Sequence, residues 1–222
     1  MSNSTIKMLI DCYENEISLI SICNQEELIK LVNSHDIEVR AWIAKAFAID
    51  SENDIAFSYL QQLAGDPDAS VRVEAIDSLS EFICTESFNV LTSALYDPDY
   101  LVRSYAAFGV AYVGRIISPS AATKLLAMSK DTENNPYVLV SIYEGLYILG
   151  DISCLKKLIG LFYSNNYQIQ CSVLNALKEI LNRDNVMQIN CFLQTITYRQ
   201  LPKSVISSIE ELDKQCKPYI SP

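Results

Sequence analysis

Histidine is almost absent from this chain, since His35 is the only one among 222 residues. A single imidazole excludes zinc sites built from several histidines and leaves one candidate base for a serine or cysteine nucleophile. His35 precedes Asp36 in a predicted inter-helix loop, where we expect no catalytic role. The seven cysteines are odd in number, irregularly spaced and without a C-x-x-C pair. We therefore expect buried, reduced thiols in a cytoplasmic protein rather than a disulfide framework or a metal centre.

Long hydrophobic runs, loop-forming residues and basic residues are also scarce. The uncharged stretch 104–114 is far shorter than the roughly 20 residues that cross a bilayer, and the first ten residues lack the pattern of a signal peptide. Only 6 Gly and 7 Pro interrupt a chain that is 50% hydrophobic, which excludes disorder. The net charge is −10, so we expect neither a nucleic acid nor a membrane as partner. The sequence has no P-loop, no Gly-rich dinucleotide motif and no H-E-x-x-H, so we expect no cofactor, no metal and no catalytic residues.

A repeated segment dominates the sequence. DPDASVRVEA (66–75) and DPDYLVRSYA (97–106) are nearly copies, HDIEVRAWIA (35–44) precedes them in the same frame, and NNPYVLVSIY (134–143) and NNYQIQCSVL (165–174) follow. Aligning the five copies stacks one apolar anchor position, occupied by Val39, Val71, Val102, Val138 and Ile169. Apolar residues fall at 0, +4, +5 and +8 from each anchor, which is the spacing of one face of an α-helix.

Each copy predicts a pair of helices. A leucine recurs eleven residues before the anchor in a shorter amphipathic segment, and Asp66-Pro67 and Asp97-Pro98 indicate N-cap residues followed by Pro at the first helical position. The 36-residue step to the fourth copy predicts extra residues in a turn at 131–136. A helix at 3–22 and a helix pair at 185–216, split near Leu201-Pro202, are expected to cap the stack. No linker is visible, so we expect one domain over 1–222.

The pattern D-P-D-x-x-V-R-x-x-A, in units near 31 residues, resembles HEAT repeats, and in particular the short variety named after the phycobilisome lyases. The resemblance covers residues 25–183. It implies an all-α fold, a right-handed α-solenoid of roughly five helix pairs with terminal capping helices. It also implies that the repeated Asp and Arg residues are structural and join turns to adjoining helices. These residues are Asp36, Arg40, Asp68, Arg72, Asp99 and Arg103. Leu139 and Gln170 depart from Arg, so the polar ladder is expected to stop after the third unit.

The helical period also predicts a binding face. Positions +3, +6 and +10 from each anchor point away from the apolar stripe, and the resemblance places them on the concave side of the stack. The candidate protein-binding residues at these positions are Trp42, Lys45, Glu74, Asp77, Glu81, Tyr105, Phe108, Tyr112 and Glu144. Three acids between aromatic side chains are typical of an interface more than of a solvated surface.

Charge is unevenly divided along the chain. Residues 1–113 carry 18 acidic and 6 basic groups, whereas residues 114–222 carry 9 and 11. We therefore expect a non-catalytic scaffold or adaptor whose acidic, aromatic face engages a basic protein partner. An immunity or antitoxin-like inhibitor is one specific form, because many toxin domains that cut nucleic acid carry basic surfaces.

The sequence leaves two other functional classes open. A bilin lyase or phycobilisome-associated protein is suggested by the repeat variety alone, since no residue indicates a chromophore site. A HEAT-like DNA glycosylase would use aromatic and acidic residues on a concave surface. However, a duplex-binding groove needs several Lys and Arg, and Lys45 is the only basic residue on the predicted face.

Overall fold

The protein is all-α in the computed structural model, which describes residues 2–220 and contains no β-strand within them. The α-helices are α1 (Ser2–Glu14), α2 (Leu19–Ile22), α3 (Gln25–Val32), α4 (Ile37–Ala46), α5 (Asp54–Leu63), α6 (Ala69–Leu79), α7 (Thr85–Ala94), α8 (Tyr100–Ile117), α9 (Pro119–Thr132), α10 (Pro136–Ile148), α11 (Cys154–Leu161), α12 (Tyr167–Glu179), α13 (Val186–Thr195) and α14 (Lys203–Ile220). Short 3₁₀ turns occupy Phe47–Asp50 and Tyr198–Gln200. The chain separates into two compact units, unit 1 (Met1–Leu125) and unit 2 (Leu126–Pro222), and the division falls inside α9.

The repeat anchors form the cores of both units, as the helical spacing predicts. All five anchors are buried, and so are the residues four and eight positions later in each copy. The leucines eleven positions before the anchor, Leu28, Leu60, Leu91 and Leu158, are also buried, on the first helix of each pair. A single helix pair cannot enclose these side chains, so stacking of neighbouring pairs provides the core. The α-solenoid type of fold is thus confirmed, while its handedness and the single-domain boundary stay predictions.

The second helix of each pair begins at the Asp or Asn three residues before the anchor. Asp36, Asp68 and Asp99 are the N-caps of α4, α6 and α8, and each carboxylate accepts a hydrogen bond from the backbone N–H two residues later. Asn135 and Asn166 cap α10 and α12 in the same way. The prediction that Asp66 and Asp97 are N-caps was wrong by two residues, because these carboxylates have another partner.

That partner is the arginine of the preceding repeat. The Arg40 guanidinium donates to both carboxylate oxygens of Asp66, at 2.7 and 3.0 Å, and Arg72 donates to both of Asp97, at 2.8 Å each. Each of these arginines also donates to a loop carbonyl six residues before it. Because the pairs are bidentate and largely buried, they fix the spacing between successive helix pairs. Arg103 keeps the loop contacts, at 2.9 Å to the carbonyl of Asp97.

The polar ladder of repeated Asp and Arg residues weakens in unit 2 but does not end completely. Gln170, which stands where the first three copies have Arg, donates through Nε2 to the carbonyl of Ser164 at 3.1 Å, six residues earlier. It therefore keeps the loop contact, whereas its shorter neutral amide cannot form the two-pronged ion pair.

The prediction that the fourth copy has extra residues in a turn at 131–136 was wrong. Only three residues separate α9 from α10, and the additional residues instead extend α8 to 18 and α9 to 14 residues. Two glycines let α8 approach its neighbours closely. A Cβ on Gly114 would lie 2.5 Å from the Cβ of Ala122, and one on Gly109 would lie 2.8 Å from Leu91, so α8 packs closely against its neighbours because these side chains are missing.

The terminal elements differ from the repeats. The cap expected at 3–22 is divided into α1 and the single turn α2, because residues 15–18 leave the helix after Glu14. The C-terminal cap is confirmed as a helix pair, α13 and α14, whose buried residues close the core of unit 2. That closing set is Val186, Ile189, Phe192, Leu193, Val205, Ile209, Leu212 and Cys216.

Candidate functional site

The candidate binding face lies on the second helices of unit 1. Helices α1, α4, α6 and α8 pack side by side in that order, and α3, α5 and α7 pack behind α4, α6 and α8. Because the anchors point back toward these first helices, the opposite side of α4, α6 and α8 is left at the surface. We call this surface the acidic–aromatic face and define it by Trp42, Lys45, Glu74, Asp77, Glu81, Tyr105, Phe108 and Tyr112. All eight side chains are partly or fully exposed.

Lys45 lies at the centre of the face. Its ammonium is 5.3 Å from the ring centroid of Tyr13 and 5.6 Å from that of Trp42, within the range of cation–π attraction. The same ammonium is 3.6 Å from an Oε atom of Glu74 on the neighbouring helix α6. The face therefore holds a cation between two aromatic rings and a carboxylate, and this cation comes from the chain itself.

Asp77 lies one turn further along α6, close to three charged groups. Burial first, and then repulsion from Glu74 and Glu81, raise the pKa of its carboxyl to about 6 against the opposing effect of Lys45. The phenol of Tyr105 on α8 also has a raised pKa, through burial first and then through Asp77 and Glu74. These mutual effects show that residues from α4, α6 and α8 form one electrostatic group.

The repeat pattern of the sequence does not predict the position of Tyr13. It belongs to α1, whose sequence lacks the Asp and Val-Arg positions of the repeat, so the frame that located the other face residues does not extend to it. The packing of α1 against α4 places its ring beside Lys45.

Two depressions adjoin Tyr13. A small one, of about 60 Å³, lies among Tyr13, Lys45, Ala48, Asp77, Ser78 and Glu81. A larger one, of about 620 Å³, is lined by Tyr13, Glu14, Glu16, Ala48, Ile49 and Glu81. Glu14, Glu16, Asp77 and Glu81 form no ion pair with any of residues 2–220. The surface beside Tyr13 therefore carries four carboxylates without an ion pair, and Lys45 lines the smaller depression with two of them.

The aromatic residues toward the end of α8 form a separate pair. The rings of Phe108 and Tyr112 stack with centroids 6.0 Å apart and planes inclined by 13°. The guanidinium of Arg115 lies over the Tyr112 ring, 4.5 Å from its centroid. This end of the face is thus less acidic than the part around Asp77.

The prediction for Glu144 needs correction. Glu144 belongs to unit 2 and is only 6% exposed, so it is not a surface residue of the kind predicted. The helical frame places it opposite the anchor, but the neighbouring helices cover that position.

Residues 2–220 include no group of three or more His, Cys, Asp and Glu side chains that could hold a metal ion. No helix in the same range is both long and apolar enough to cross a membrane.

Comparison with known proteins agrees with the repeat pattern. Residues 25–107 match the family model described as HEAT repeats. The resemblance to HEAT repeats inferred from the sequence motif is thereby confirmed over residues 25–107.

Three solved structures are similar in outline. The structure of the CpcE–CpcF complex of phycocyanin lyase from Nostoc is 14% identical, with 87% of this chain and 95% of that chain covered and a TM-score of 0.48. An engineered protein is 18% identical, with 88% and 100% covered and a TM-score of 0.47. An archaeal HEAT-like repeats protein from Thermococcus onnurineus is 15% identical, with 90% and 99% covered and a TM-score of 0.36. None of the curated proteins compared matches the chain.

Proposed function

We propose that this chain is a non-catalytic protein-binding module whose acidic–aromatic face engages a basic segment or domain of another protein. The observation that carries the proposal is the position of Lys45, whose ammonium lies between the Tyr13 and Trp42 rings and beside Glu74. The face already accommodates one cationic head group in this way. Aromatic rings with adjacent carboxylates would hold the cationic side chains of a partner by the same forces.

The charge around this point supports a basic partner. Four carboxylates, those of Glu14, Glu16, Asp77 and Glu81, surround the depressions beside Tyr13 and form no ion pair within residues 2–220, although Lys45 lines the smaller depression. Glu14 also ends α1, where the helix dipole disfavours a negative charge. A cation from a partner protein would neutralise these carboxylates, which explains why they lie at the surface without an ion pair.

The narrower form of the proposal is inhibition. An immunity or antitoxin-like protein that covers the basic surface of a toxin domain needs a rigid scaffold and an acidic face, and it needs no catalytic group. Such a partner would be cytoplasmic, as we propose for this chain.

The proposal is tested with a labelled octa-arginine peptide as the basic probe. Because Trp42 is the only tryptophan, its emission reports binding at the face directly, and anisotropy of the label gives the affinity. The test variant carries Glu74→Lys, Asp77→Lys and Glu81→Lys. A matched control carries Glu26→Lys, Glu38→Lys and Glu210→Lys, three exposed acids outside the face.

We expect the test variant to bind the probe at least about tenfold more weakly than the control, since each close charge pair contributes on the order of 1 kcal/mol or more. Addition of the probe should also change the Trp42 emission of the control. Equal affinities of the two triple variants would contradict the proposal, because net charge alone would then explain binding.

A further inference from the structure

Unit 2 contains one buried carboxyl group without a partner. Glu144 on α10 is 6% exposed, and it forms no hydrogen bond or ion pair with any of residues 2–220. Its oxygen atoms nevertheless retain some contact with solvent, because the fully enclosed unpartnered atoms belong to Asp50, Thr92 and Ser129. Buried acids are normally paired, as Asp66 and Asp97 are by arginine in unit 1. Glu144 is therefore a buried but reachable acid whose partner the chain does not supply.

The surroundings of Glu144 favour a cation. Helix α10 packs against α11 and α12, and the charged group that acts on Glu144 is the exposed carboxylate of Glu179 on α12. Burial, followed by repulsion from Glu179, raises the pKa of Glu144 to about 7. Two of the three lysines on these two helices are engaged elsewhere, and the third, Lys156, is exposed. Lys157 lies over the Tyr143 ring, and Lys178 forms a 2.7 Å ion pair with Glu211.

The repeat register indicates which cation fits. Glu144 occupies the position that Lys45 has in the first copy and Asp77 in the second, six residues after the anchor. In unit 1 the chain itself places an ammonium beside the acids at this register. Near this position in unit 2, the carboxylates of Glu144 and Glu179 form no ion pair with any of residues 2–220. Among the described residues no group of three or more His, Cys, Asp and Glu side chains could hold a metal ion, whereas a guanidinium pairs with only one or two carboxylates.

We propose that Glu144, assisted by Glu179, binds an arginine side chain of the basic protein partner. This inference rests on the proposed function and names a second anchor point for the same class of partner, in unit 2. Arginine suits the position because its guanidinium is weakly hydrated and can donate two hydrogen bonds to one carboxylate. The cost of burying the Glu144 carboxyl has already been met in the folded protein, so an arriving guanidinium gains most of the pairing energy.

The first measurement compares affinities for the octa-arginine probe. Glu144→Gln keeps the shape of the side chain and removes its charge, and Glu210→Gln is a matched control on an exposed acid of the same unit. We expect Glu144→Gln to bind about tenfold more weakly than the control, as for loss of one charge-assisted hydrogen-bonded pair. Its melting temperature should equal or exceed that of the wild type, because a buried charge is removed, so weaker binding cannot be ascribed to unfolding.

The second measurement is specific to Glu144. At pH 7 a carboxyl with a pKa of about 7 is about half protonated, and pairing with a guanidinium ionises it. Binding should therefore release about half a proton per site, measured by titration calorimetry in two buffers of different ionisation enthalpy. The release should fall sharply in Glu144→Gln, to the small contribution of Asp77, and persist in Glu210→Gln.

The outcomes separate the two proposals. The inference about Glu144 is wrong if Glu144→Gln binds the probe as tightly as Glu210→Gln, or if both variants release the same number of protons. This holds even if the triple charge reversal on the acidic–aromatic face abolishes binding. If the triple reversal has no effect while Glu144→Gln weakens binding, the proposed face is wrong and the Glu144 anchor stands.

Discussion

Replacement of Asp77 by asparagine removes one carboxylate from the centre of the acidic–aromatic face and leaves its shape nearly unchanged. The Asp77 side chain makes no hydrogen bond or ion pair with the described residues. It lies instead between Glu74 and Glu81, with only Lys45 to oppose their repulsion. The ionised form is therefore less favourable in the folded protein than in the unfolded chain.

The magnitude follows from the pKa of Asp77, which rises from 3.8 to about 6 on folding. Each pKa unit corresponds to about 1.4 kcal/mol, so ionised Asp77 costs about 3 kcal/mol of folding free energy. Because the folded-state pKa is the higher one, the folded protein holds the proton more tightly. The stabilising contribution of the protonated form is complete below about pH 4 and is lost as the pH rises through about 6.

The assay is urea unfolding of wild type and Asp77→Asn between pH 4 and pH 8. We expect nearly equal free energies of unfolding at pH 4 and a variant that is more stable by about 3 kcal/mol at pH 8. Lys45→Met offers a complementary variant, because loss of the ammonium should raise the pKa of Asp77 and move the step to higher pH. A stability difference that does not change with pH, or a less stable variant at pH 8, would refute this explanation.

Two further predictions concern the scaffold. Arg72→Met leaves the Asp97 carboxylate buried without its guanidinium, so urea unfolding should show a loss of about 3 kcal/mol, and adding Asp97→Asn should recover part of it. No recovery in the double variant would show that the ion pair is not the cause. Gly114→Ala places a Cβ 2.5 Å from that of Ala122 and should lower the unfolding free energy by about 2 kcal/mol. Gly160→Ala, which meets no atom within 4 Å, should raise it by up to about 1 kcal/mol through helix propensity, and similar losses in both glycine variants would contradict the packing argument.

Much of the fold could be predicted from the repeated segments because burial in a helical pair depends on local spacing. The anchors Val39, Val71 and Val102 are buried, as the period requires. Helix starts were predicted less accurately. Asp66-Pro67 matches a capping pattern, but the Asp66 carboxylate pairs with Arg40, which is 26 residues away in the chain, and Asp68 caps the helix instead.

The candidate site was predicted only in part. The angular argument placed Trp42, Lys45, Glu74 and Asp77 on one surface, and their mutual electrostatic effects agree with that. It did not include Tyr13, because α1 is outside the repeat frame. It also treated Glu144 as equivalent to Asp77, although Glu144 is buried.

The local sequence is sufficient to predict which residues form helices and which side of each helix is apolar, since 3.6-residue periodicity and capping preferences act over a few neighbouring positions. Tertiary structure alone decided which charges meet. Whether a carboxylate such as Asp77 or Glu144 is exposed, paired or left without a cation depends on the packing of helices that are distant in the chain, and helical spacing carries no information about those distances.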